Sequence, residues 1–456
     1  MTPDYIHACV QGHRDFFATQ NTKSVAFRKE QLLRLRTAIL KYEKPLYEAL
    51  QADLHKSEEE AFLTEISIVL QEIKHHLRHI DRWAKPQRVG STLAILPSES
   101  YIITEPLGVA LIMAPWNYPF NLLICPLVGA ISSGCCAVLK PSPYTPHTAA
   151  VMEQMISETF PQNYISVVQG DRHVNTLLLA ERYDIIFFTG SPSLGKLVME
   201  AAAKNLTPCV LELGGKSPCI VDKEANIKIA ARRIMWGKTI NAGQTCIAPD
   251  YLFVHESVKA ELFVEMKQAI RDFFGENPET SPFFPRIVND KAMERLLPLL
   301  QQGDIVFGGE NNRAERYIAP TVIDNVQPDF AIMQEEIFGP ILPVLTFNDI
   351  NTVINYVNTH EKPLAFYYFG EHKKAKAVLA QTTSGGACVN DVLMHIANPK
   401  LPFGGVGNSG MGQYHHHESF IAFSNRRAVV HSFNWFDLKV KYVPFKGLKP
   451  LKRFLK

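Results

Sequence analysis

The sequence lacks the features that mark membrane-spanning and secreted proteins. It has no uninterrupted apolar run of about 18 residues, the length that a membrane-spanning helix requires. Its opening residues, MTPDYIHACVQGHRD, lack the charged-then-apolar pattern of a secretory signal. We therefore expect a reducing, cytoplasmic location.

Paired cysteines are also missing. The eight cysteines form no Cys-x-x-Cys motif and no zinc-like spacing, so the sequence predicts no metal site. Several lie in apolar runs such as CPLVGAISSGCCAVL, where a buried, inert thiol is expected. Cys246 differs, because Gln, Thr, Pro and Asp flank it.

The chain has little excess of either positive or negative charge over most of its length. The formal net charge is +2, but residues 435–456 alone carry +6, which leaves −4 on the rest. A mildly acidic body with a short basic tail does not resemble a nucleic-acid-binding protein. The tail interleaves apolar residues with lysines. A packed or mobile extension is our first interpretation, and a weak contact with an anionic membrane surface is the second.

Helical and strand-like patterns divide the chain. Residues 27–54 predict a helix with a break near Pro45, and residues 58–83 predict a second helical stretch. The second helical stretch carries His75, His76 and His79. We predict that they lie on a solvated face and bind no metal, because no carboxylate or cysteine stands at a matching offset. From Tyr101 onward, strands and helices alternate, which predicts an α/β fold with a doubly wound parallel sheet.

Two glycine-rich segments resemble nucleotide-binding motifs. Residues 405–410 match G-x-G-x-x-G but follow no strand, so we expect a loop whose backbone passes close to another segment. Residues 190–197 would be a Walker A loop if Leu197 were Ser or Thr, so ATP chemistry is not predicted. A strand, a tight turn and a helix that begins with Ser191 and Pro192 suit a pyrophosphate. A simple strand-to-helix turn is the alternative.

Glu212 and Cys246 are the candidate catalytic residues. A thiol in a Gly-Gln-Thr-Cys loop can be exposed and polarised, as a nucleophile requires. Glu212 ends an apolar strand before two glycines, where partial burial would raise its pKa and make it a base. An inert core cysteine and a solvated glutamate are the alternatives. The pair by itself is also compatible with a cysteine-dependent hydrolase.

Six segments together resemble the aldehyde dehydrogenase superfamily: LELGGKSP, GQTCIAPD, APWNYPF, FTGSPSLG, EEIFGPILPV and LPFGGVGNSGMG. The segments DLHKSEEEAFLTEI and YHHHESFIAFSNRRAV resemble its class-three, fatty-aldehyde-dehydrogenase-like branch. The resemblance implies two doubly wound α/β domains plus a small bridging and oligomerisation β element, in a homodimer. It assigns residues 1–84 and 104–211 to a Rossmann-like NAD(P)-binding domain, 212–386 to a catalytic domain, 85–103 and 387–434 to the bridging element and 435–456 to a basic-apolar C-terminal tail.

The resemblance also implies a covalent mechanism. Cys246 would attack an aldehyde, and the oxyanion of the resulting thiohemiacetal would be bound by the side chain of Asn117 and the Cys246 backbone N–H. Hydride transfer to a nicotinamide would leave a thioester, which water activated by Glu212 would hydrolyse. Without the resemblance, we would interpret Asn117 as a turn-forming residue after Pro-Trp.

Cofactor contacts follow from the same motifs. The resemblance places Lys140 on the adenosine ribose, Glu336 on the nicotinamide ribose, and the other cofactor-binding positions at Gly190, Ser191, Gly195, Phe338 and Trp116. Surface ion pairing is the alternative for Lys140 and Glu336, and loop packing for Phe338. Pro143 stands where many members have a glutamate for the ribose 2′-hydroxyl, so either NAD or NADP is expected.

The expected substrate is a medium-chain or long-chain aliphatic aldehyde, or an aromatic one. Tyr118 and Trp236 are candidates for lining an apolar entrance, and core packing is the alternative for both. A CoA-acylating aldehyde dehydrogenase is the rival within the superfamily. The presence of Glu212 favours water over CoA as the acyl acceptor.

Overall fold

The computed structural model describes residues 1–92, 95–437, 441–445 and 452–453. Within this part of the chain, strands and helices alternate and form three main sheets and a small hairpin. The α/β class predicted from the sequence pattern is confirmed. The predicted basic tail, residues 435–456, lies largely outside the described residues.

The chain begins with a series of helices, α1 (Pro3–Ala18), α2 (Val25–Lys41), α3 (Glu43–Leu54), α4 (Glu58–Ala61) and α5 (Ser67–Trp83). The break predicted within residues 27–54 lies at Tyr42, between α2 and α3, and Pro45 falls in the first turn of α3, where its missing N–H has no cost. A π-helical segment, Phe62–Ile66, joins α4 to α5.

A six-stranded sheet contains β3 (Val109–Met113), β4 (Cys136–Lys140), β5 (Ile165–Val167), β6 (Ile185–Gly190), β7 (Cys209–Leu213) and β17 (Gly410–Met411). Its helices are α6 (Asn121–Ser133), α7 (Pro146–Thr159), α8 (Arg172–Ala180) and α9 (Pro192–Ala203). The spatial order is β17-β7-β6-β3-β4-β5, and only β17 is antiparallel to its neighbour. Strands β3 and β4 are buried throughout, as expected for parallel strands covered on both faces.

A seven-stranded sheet contains β8 (Pro218–Val221), β9 (Tyr251–His255), β10 (Asp304–Phe307), β13 (Thr321–Asp324), β14 (Ile341–Phe347), β15 (Ala365–Phe369) and β16 (Gly386–Val389). Its order is β10-β13-β14-β9-β8-β15-β16, and β10 alone runs antiparallel to its neighbour. The helices of this region are α10 (Ile227–Thr239), α11 (Lys259–Phe274), α12 (Asp290–Leu296), α13 (Ala331–Gln334), α14 (Ile350–Thr359) and α15 (His372–Leu379). A hairpin of β11 (Asn311–Asn312) and β12 (Tyr317–Ile318) lies between β10 and β13 in the chain.

A third, antiparallel sheet contains β1 (Gln87–Val89), β2 (Ser98–Pro106) and β18 (Ser424–Ser432), which follows α16 (His417–Ala422). Its order is β1-β2-β18, so β18 forms one edge. This sheet pairs residues that lie more than 300 positions apart in the sequence, such as Glu105 and Asn425.

The predicted solvated histidine face on α5 is wrong for His76. His76 is fully buried, and its Nε2 lies 3.0 Å from the buried carboxylate of Glu72. The partly buried rings of His75 and His79 pack against Trp83. The sequence did not reveal this, because the packing partner is the distant segment that includes His416.

The prediction for the loop at residues 405–410 is confirmed. Gly410 pairs with Glu212 across the antiparallel contact between β17 and β7. A Cβ atom at Gly410 would overlap the carbonyl oxygen of Leu211, so only glycine allows the backbones to come this close. The loop therefore packs directly against the strand that carries Glu212.

Candidate active site

The loop that carries Cys246 is held in an uncommon backbone conformation. After α10 the chain turns through Asn241 and Ala242, both with φ of 52°, a left-handed conformation that costs free energy in residues other than glycine. Side chains stabilise it. Asn241 donates its backbone N–H to Glu60 Oε1 at 2.7 Å and its Nδ2 to the Gln244 carbonyl at 3.0 Å. Gln244 Oε1 in turn accepts from the Val288 backbone N–H at 3.0 Å.

Cys246 is partly buried, which differs from the exposed, polarised thiol that the sequence suggested. Burial raises the pKa of the thiol, and the carboxylates of Glu336 and Glu212 raise it further. The thiol is therefore protonated at neutral pH in the structure as it stands. A nucleophile here needs a nearby base to remove its proton.

Glu212 lies at the carboxyl end of β7 with only 2% of its surface exposed. Neither carboxylate oxygen has a hydrogen-bond partner among the described residues. Burial raises the pKa of Glu212 well above its usual range, in the direction that the sequence predicted. An orphaned buried carboxylate is costly, and in a cleft it marks a group poised to exchange a proton.

Glu336 completes a group of three titratable side chains. Its carboxylate lies so close to Gly214 that a Cβ atom there would overlap it. Burial and, next, the charge of Asp250 raise the pKa of Glu336 to about 8, while a hydrogen bond from the Gly215 backbone lowers it. The structure therefore brings together Glu212, Cys246 and Glu336, which lie on three separate segments of the sequence.

Asn117 and Tyr118 lie against the loop of Cys246. Asn117 is buried, and its Nδ2 donates to the carbonyl of Gln244 at 3.0 Å. The Tyr118 hydroxyl lies 2.6 Å from Thr245 Oγ1. Because an amide nitrogen has two hydrogens, Asn117 can donate a second hydrogen bond. Tyr118 is buried, in accord with its alternative interpretation as a packing residue.

The predicted phosphate loop has the geometry of a helix cap. Ser191 is the N-cap of α9, and its Oγ accepts from the Leu194 backbone N–H at 3.4 Å. A Cβ atom at Gly195 would lie 2.8 Å from the Leu213 side chain, and one at Gly190 would lie 2.5 Å from the Phe188 ring. The N-terminus of α9 therefore lies close to the ends of β6 and β7, and the helix dipole favours an anion there.

Lys140 lies at the carboxyl end of β4 and is buried. Its Nζ donates to the carbonyl of Pro141 at 2.8 Å, and burial lowers its pKa to about 8. Lys140 is therefore not a surface ion-pairing residue. Pro143, two residues beyond Pro141, is exposed.

Aromatic side chains flank the site. The rings of Trp116 and Phe338 meet edge to face with centroids 5.4 Å apart, and Phe338 has a φ of 51°, which is rare for a bulky residue. Trp236 lies on α10 and is 38% exposed. Core packing is therefore excluded for Trp236 and fits Tyr118.

The sequence interpretation missed the residues that hold the Glu336 segment. Asp250 Oδ1 accepts from the Ile337 backbone N–H at 2.9 Å, and Asp250 forms an ion pair with Lys216. Lys216 Nζ also donates to the Glu335 carbonyl at 2.8 Å. Both residues stand inside quoted motifs, LELGGKSP and GQTCIAPD, so their place in those motifs was the available signal.

Some features are absent from the part of the chain that the structure describes. Within it, no group of three or more His, Cys, Asp or Glu side chains could hold a metal ion. No helix there is both long and apolar enough to cross a membrane.

Comparisons with known proteins agree with this geometry. A profile described as the aldehyde dehydrogenase family matches residues 1–429. The 4,4'-diaponeurosporen-aldehyde dehydrogenase of Staphylococcus aureus is 48% identical over 445 residues, covering 97% of each chain. The dimeric NADP-preferring aldehyde dehydrogenase of Rattus norvegicus is 43% identical over 420 residues, covering 92% of this chain and 93% of that protein.

A solved structure described as the substrate-bound state of Staphylococcus aureus AldH is similar at a TM-score of 0.97 and 46% identity, covering 99% of each chain. Relatives also include members of aldehyde dehydrogenase family 3, as the class-three resemblance implied. The profile and these relatives span nearly the whole length of the sequence. The chain therefore belongs to the aldehyde dehydrogenase family and is an NAD(P)-dependent oxidoreductase that acts on aldehydes.

Proposed function

We propose that the protein oxidises an aldehyde to its carboxylic acid through a thioester on Cys246, which water activated by Glu212 hydrolyses. The observation that carries this proposal is the buried Glu212 carboxylate, which has no hydrogen-bond partner among the described residues and raises the pKa of Cys246. A carboxylate in this state takes up a proton readily. It can therefore accept the thiol proton and later a proton from water.

The first step forms a carbon–sulfur bond. The Cys246 thiolate attacks the aldehyde carbon, and the carbonyl oxygen becomes an oxyanion. The second hydrogen of Asn117 Nδ2 and the Cys246 backbone N–H are the proposed donors to it. The existing hydrogen bond from Asn117 to the Gln244 carbonyl fixes the amide plane in advance.

The second step restores the carbonyl as a thioester while hydride leaves the same carbon. The bound cofactor, NAD or NADP, supplies the hydride acceptor. Glu212 releases the thiol proton to solvent and then removes a proton from water, whose oxygen adds to the thioester carbon. The Cys246 thiolate leaves and takes up the proton that Glu212 holds. The products are the carboxylic acid and a free Cys246.

Residues of this chain fit the proposed cofactor. The positive end of the α9 dipole and the hydroxyl of its N-cap, Ser191, are the proposed partners of a pyrophosphate. Lys140, buried at the end of β4, is the proposed partner of the adenosine ribose, and Glu336 that of the nicotinamide ribose. The paired rings of Trp116 and Phe338 are the proposed aromatic residues beside the nicotinamide ribose. Gly190 and Gly195 allow the close backbone approach.

We propose that both NAD and NADP are used. Pro143 is exposed, and its side chain can neither accept a hydrogen bond from a ribose 2′-hydroxyl nor repel a 2′-phosphate. The name of the Rattus norvegicus relative, NADP-preferring, supports this. Values of kcat/KM of the same order for the two cofactors are expected, and a strong preference for NAD would contradict the proposal.

The proposed substrates are medium-chain and long-chain aliphatic aldehydes, or aromatic ones. The name of the Staphylococcus aureus relative, a diaponeurosporen-aldehyde dehydrogenase, supports a large apolar aldehyde. Trp236, with 38% of its surface exposed, is the proposed apolar residue at the entrance, and Tyr118 packs deeper. Rates measured with aldehydes of increasing chain length would test this choice.

The chemistry is tested by following NAD(P)H with a panel of aldehydes, with and without CoA. The Cys246→Ala variant is expected to form no NAD(P)H with any of the aldehydes. Glu212→Gln is expected to keep the amplitude of the first NAD(P)H burst, at a lower rate because Glu212 also accepts the thiol proton, and to lose turnover because thioester hydrolysis needs the base. Turnover that requires CoA would favour the acylating rival, and a Glu212→Gln enzyme without a burst would give Glu212 a different role.

The proposed assembly is a homodimer in the cytoplasm, with a weak membrane contact of the tail as a secondary possibility. Strand β18 forms the edge of its sheet, and the Rattus norvegicus relative is named as dimeric. The proposed division is a cofactor domain at 1–84 and 104–211, a catalytic domain at 212–386 and a bridging element at 85–103 and 387–434. The three sheets support its outline, although β17 joins the six-stranded sheet and β2 extends to Pro106. Sedimentation measures the oligomer, and liposome binding with and without residues 447–456 measures the membrane contact.

A further inference from the structure

A buried ion pair lies beside the site but belongs to none of the motifs to which a role was assigned. Lys56 follows α3, and Glu65 lies in the π-helical segment Phe62–Ile66. Lys56 Nζ and Glu65 Oε1 are 2.7 Å apart, and both side chains are 0% exposed. Burying two charges costs desolvation free energy that their attraction often fails to return. Stability alone is therefore a weak explanation for this pair.

The contacts of Lys56 lead to the proposed oxyanion donor. Its Nζ also donates to the backbone carbonyl of Asn117 at 3.0 Å. It lies 4.1 Å from the centroid of the Tyr118 ring, in the range of a cation–π interaction. One ammonium group thus fixes two consecutive residues of the segment that faces Cys246.

The contacts of Glu65 fix the other end of the same segment. Glu65 Oε2 accepts from the backbone N–H groups of Phe120 at 3.2 Å and Asn121 at 2.9 Å. Asn121 begins α6, so the carboxylate interacts with free N–H groups at a helix N-terminus. The Asn121 side chain returns a hydrogen bond to the Thr64 carbonyl at 3.1 Å. Residues 117–121 are therefore held at both ends by the pair.

The same segment is joined to the loop of Cys246. The Asn117 carbonyl that accepts from Lys56 also accepts from Asn241 Nδ2 at 2.7 Å. The Tyr118 hydroxyl lies 2.6 Å from Thr245 Oγ1. Glu65 itself lies in a π-helical turn, a conformation that is frequent at functional sites. Ion pair, oxyanion donor and nucleophile loop form one connected network.

We propose that Lys56 and Glu65 are positioning residues that hold Asn117 at the angle and distance needed to bind the oxyanion. This inference rests on the role of Asn117 in the proposed function. Lys56 fixes the Asn117 carbonyl, Glu65 fixes the backbone N–H groups of Phe120 and Asn121, and the Asn117 amide is thereby oriented towards the attacked carbonyl. The pair stabilises the transition state through Asn117 and does not touch the substrate.

The test is a charge-neutral double variant, Lys56→Met with Glu65→Gln, which removes both charges of the pair together. The rate of the first NAD(P)H burst is expected to fall by roughly 10-fold to 100-fold, since loss of one oxyanion donor typically costs that much or more. The cofactor Kd and the rate of Cys246 alkylation by iodoacetamide should stay within about twofold of wild type, because alkylation forms no oxyanion. An unchanged burst, or an equal loss in alkylation, would overturn the proposal.

A matched control removes a second ion pair away from the site, Lys259→Met with Asp324→Asn, whose charged atoms are 2.6 Å apart. This control should keep the wild-type burst rate. If the first double variant does not fold, Glu65→Asp keeps both charges but withdraws the carboxylate by one methylene. The Glu65→Asp variant is tested by the same burst rate, cofactor Kd and alkylation rate, and the same results would overturn the proposal.

A double-mutant cycle separates this inference from the proposed function. In an Asn117→Ala background, the Lys56 and Glu65 changes should alter the burst rate less than about twofold, because residues that act through one group are not additive. If the Lys56 and Glu65 changes lowered the burst rate by the same factor in the Asn117→Ala background as in the wild type, the positioning role would be overturned. If Asn117→Ala by itself keeps the wild-type burst rate, the proposed oxyanion site fails instead.

Discussion

At the scale of single residues, burial sets the chemistry of the site more than nearby charge does. Burial is the largest cause of the raised pKa of Glu212, Glu336 and Cys246 and of the lowered pKa of Lys140. The sequence marks Glu212 and Cys246 through their flanking residues. It could not show that Lys140 is buried, because depth depends on how β4 sits in the sheet.

The pH dependence of turnover follows from Glu212. Burial raises its pKa well above the usual range, and only the deprotonated carboxylate can activate water. The rate of thioester hydrolysis should therefore keep rising with pH well above the ordinary carboxyl range. A pH profile of kcat under conditions where hydrolysis is rate-limiting measures this rise. Glu212→Gln should flatten the profile, and an equal slope in the variant would contradict the assignment.

Lys140→Met should weaken cofactor binding. The lost hydrogen bond from a charged donor is worth about 1.5–3 kcal/mol, or roughly 10-fold or more in affinity. KM for NAD and NADP should rise while kcat changes little, and steady-state kinetics measure both values. Lys204→Met, at an exposed position that ends α9, is the control with an unchanged KM. A fall in kcat alone would argue against a ribose contact for Lys140.

At the scale of elements, close contact between backbones shapes the site. The short strand β17 lies against β7 beside Glu212, and the turn through Asn241 and Ala242 presents the loop of Cys246. The alternation of strands and helices was readable from the sequence because apolar strands and amphipathic helices have distinct periods. The turn was not, because distant side chains, such as that of Glu60, stabilise its left-handed residues.

Gly410→Ala should destabilise the contact between β17 and β7. Gly410 has a φ of 151°, and a Cβ atom would overlap the Leu211 carbonyl. Backbone strain and overpacking together should cost about 2–4 kcal/mol, measured as the free energy of unfolding. Gly407→Ala is the control in the same loop, because its φ is also positive but nothing lies within 4 Å, and it should lose only about 1 kcal/mol. Equal losses would mean that packing against β7 does not decide the effect.

At the scale of the whole molecule, the histidines near Glu72 link α5 to the chain before α16. Burial lowers the pKa of His415 to about 4, with the charge of Glu72 opposing this shift. Burial, followed by the neighbouring charges of His416, His79 and His76, lowers the pKa of His75 to about 4. Burial would raise the pKa of Glu72, but hydrogen bonds from His416 and His76 hold it well below its usual range.

These groups predict acid-sensitive stability. Between the ordinary histidine pKa of 6.5 and the folded values of about 4, the unfolded chain binds more protons than the folded chain, so stability falls as pH decreases. Glu72 adds slope of the same sign only at the lower end of this window, because its carboxylate begins to bind a proton in the unfolded chain near the ordinary pKa of 4.5 and binds it in the folded chain only at lower pH. Thermal unfolding measured from pH 7 to about pH 4 should show a falling Tm. His415→Gln should reduce the slope, and a Tm that is independent of pH would contradict this account.

The sequence by itself determined the α/β class, the family and the segments that carry Glu212 and Cys246. These depend on local periodicity and on motifs whose residues are close in the chain. Only the tertiary structure decided that Glu336 lies near enough to Cys246 to raise its pKa, that His76 is buried, and that the Lys56–Glu65 pair is hydrogen-bonded to the Asn117 carbonyl. Such contacts join residues from separate segments of the chain. Their burial and pKa values depend on how the sheets and helices pack, which no local pattern contains.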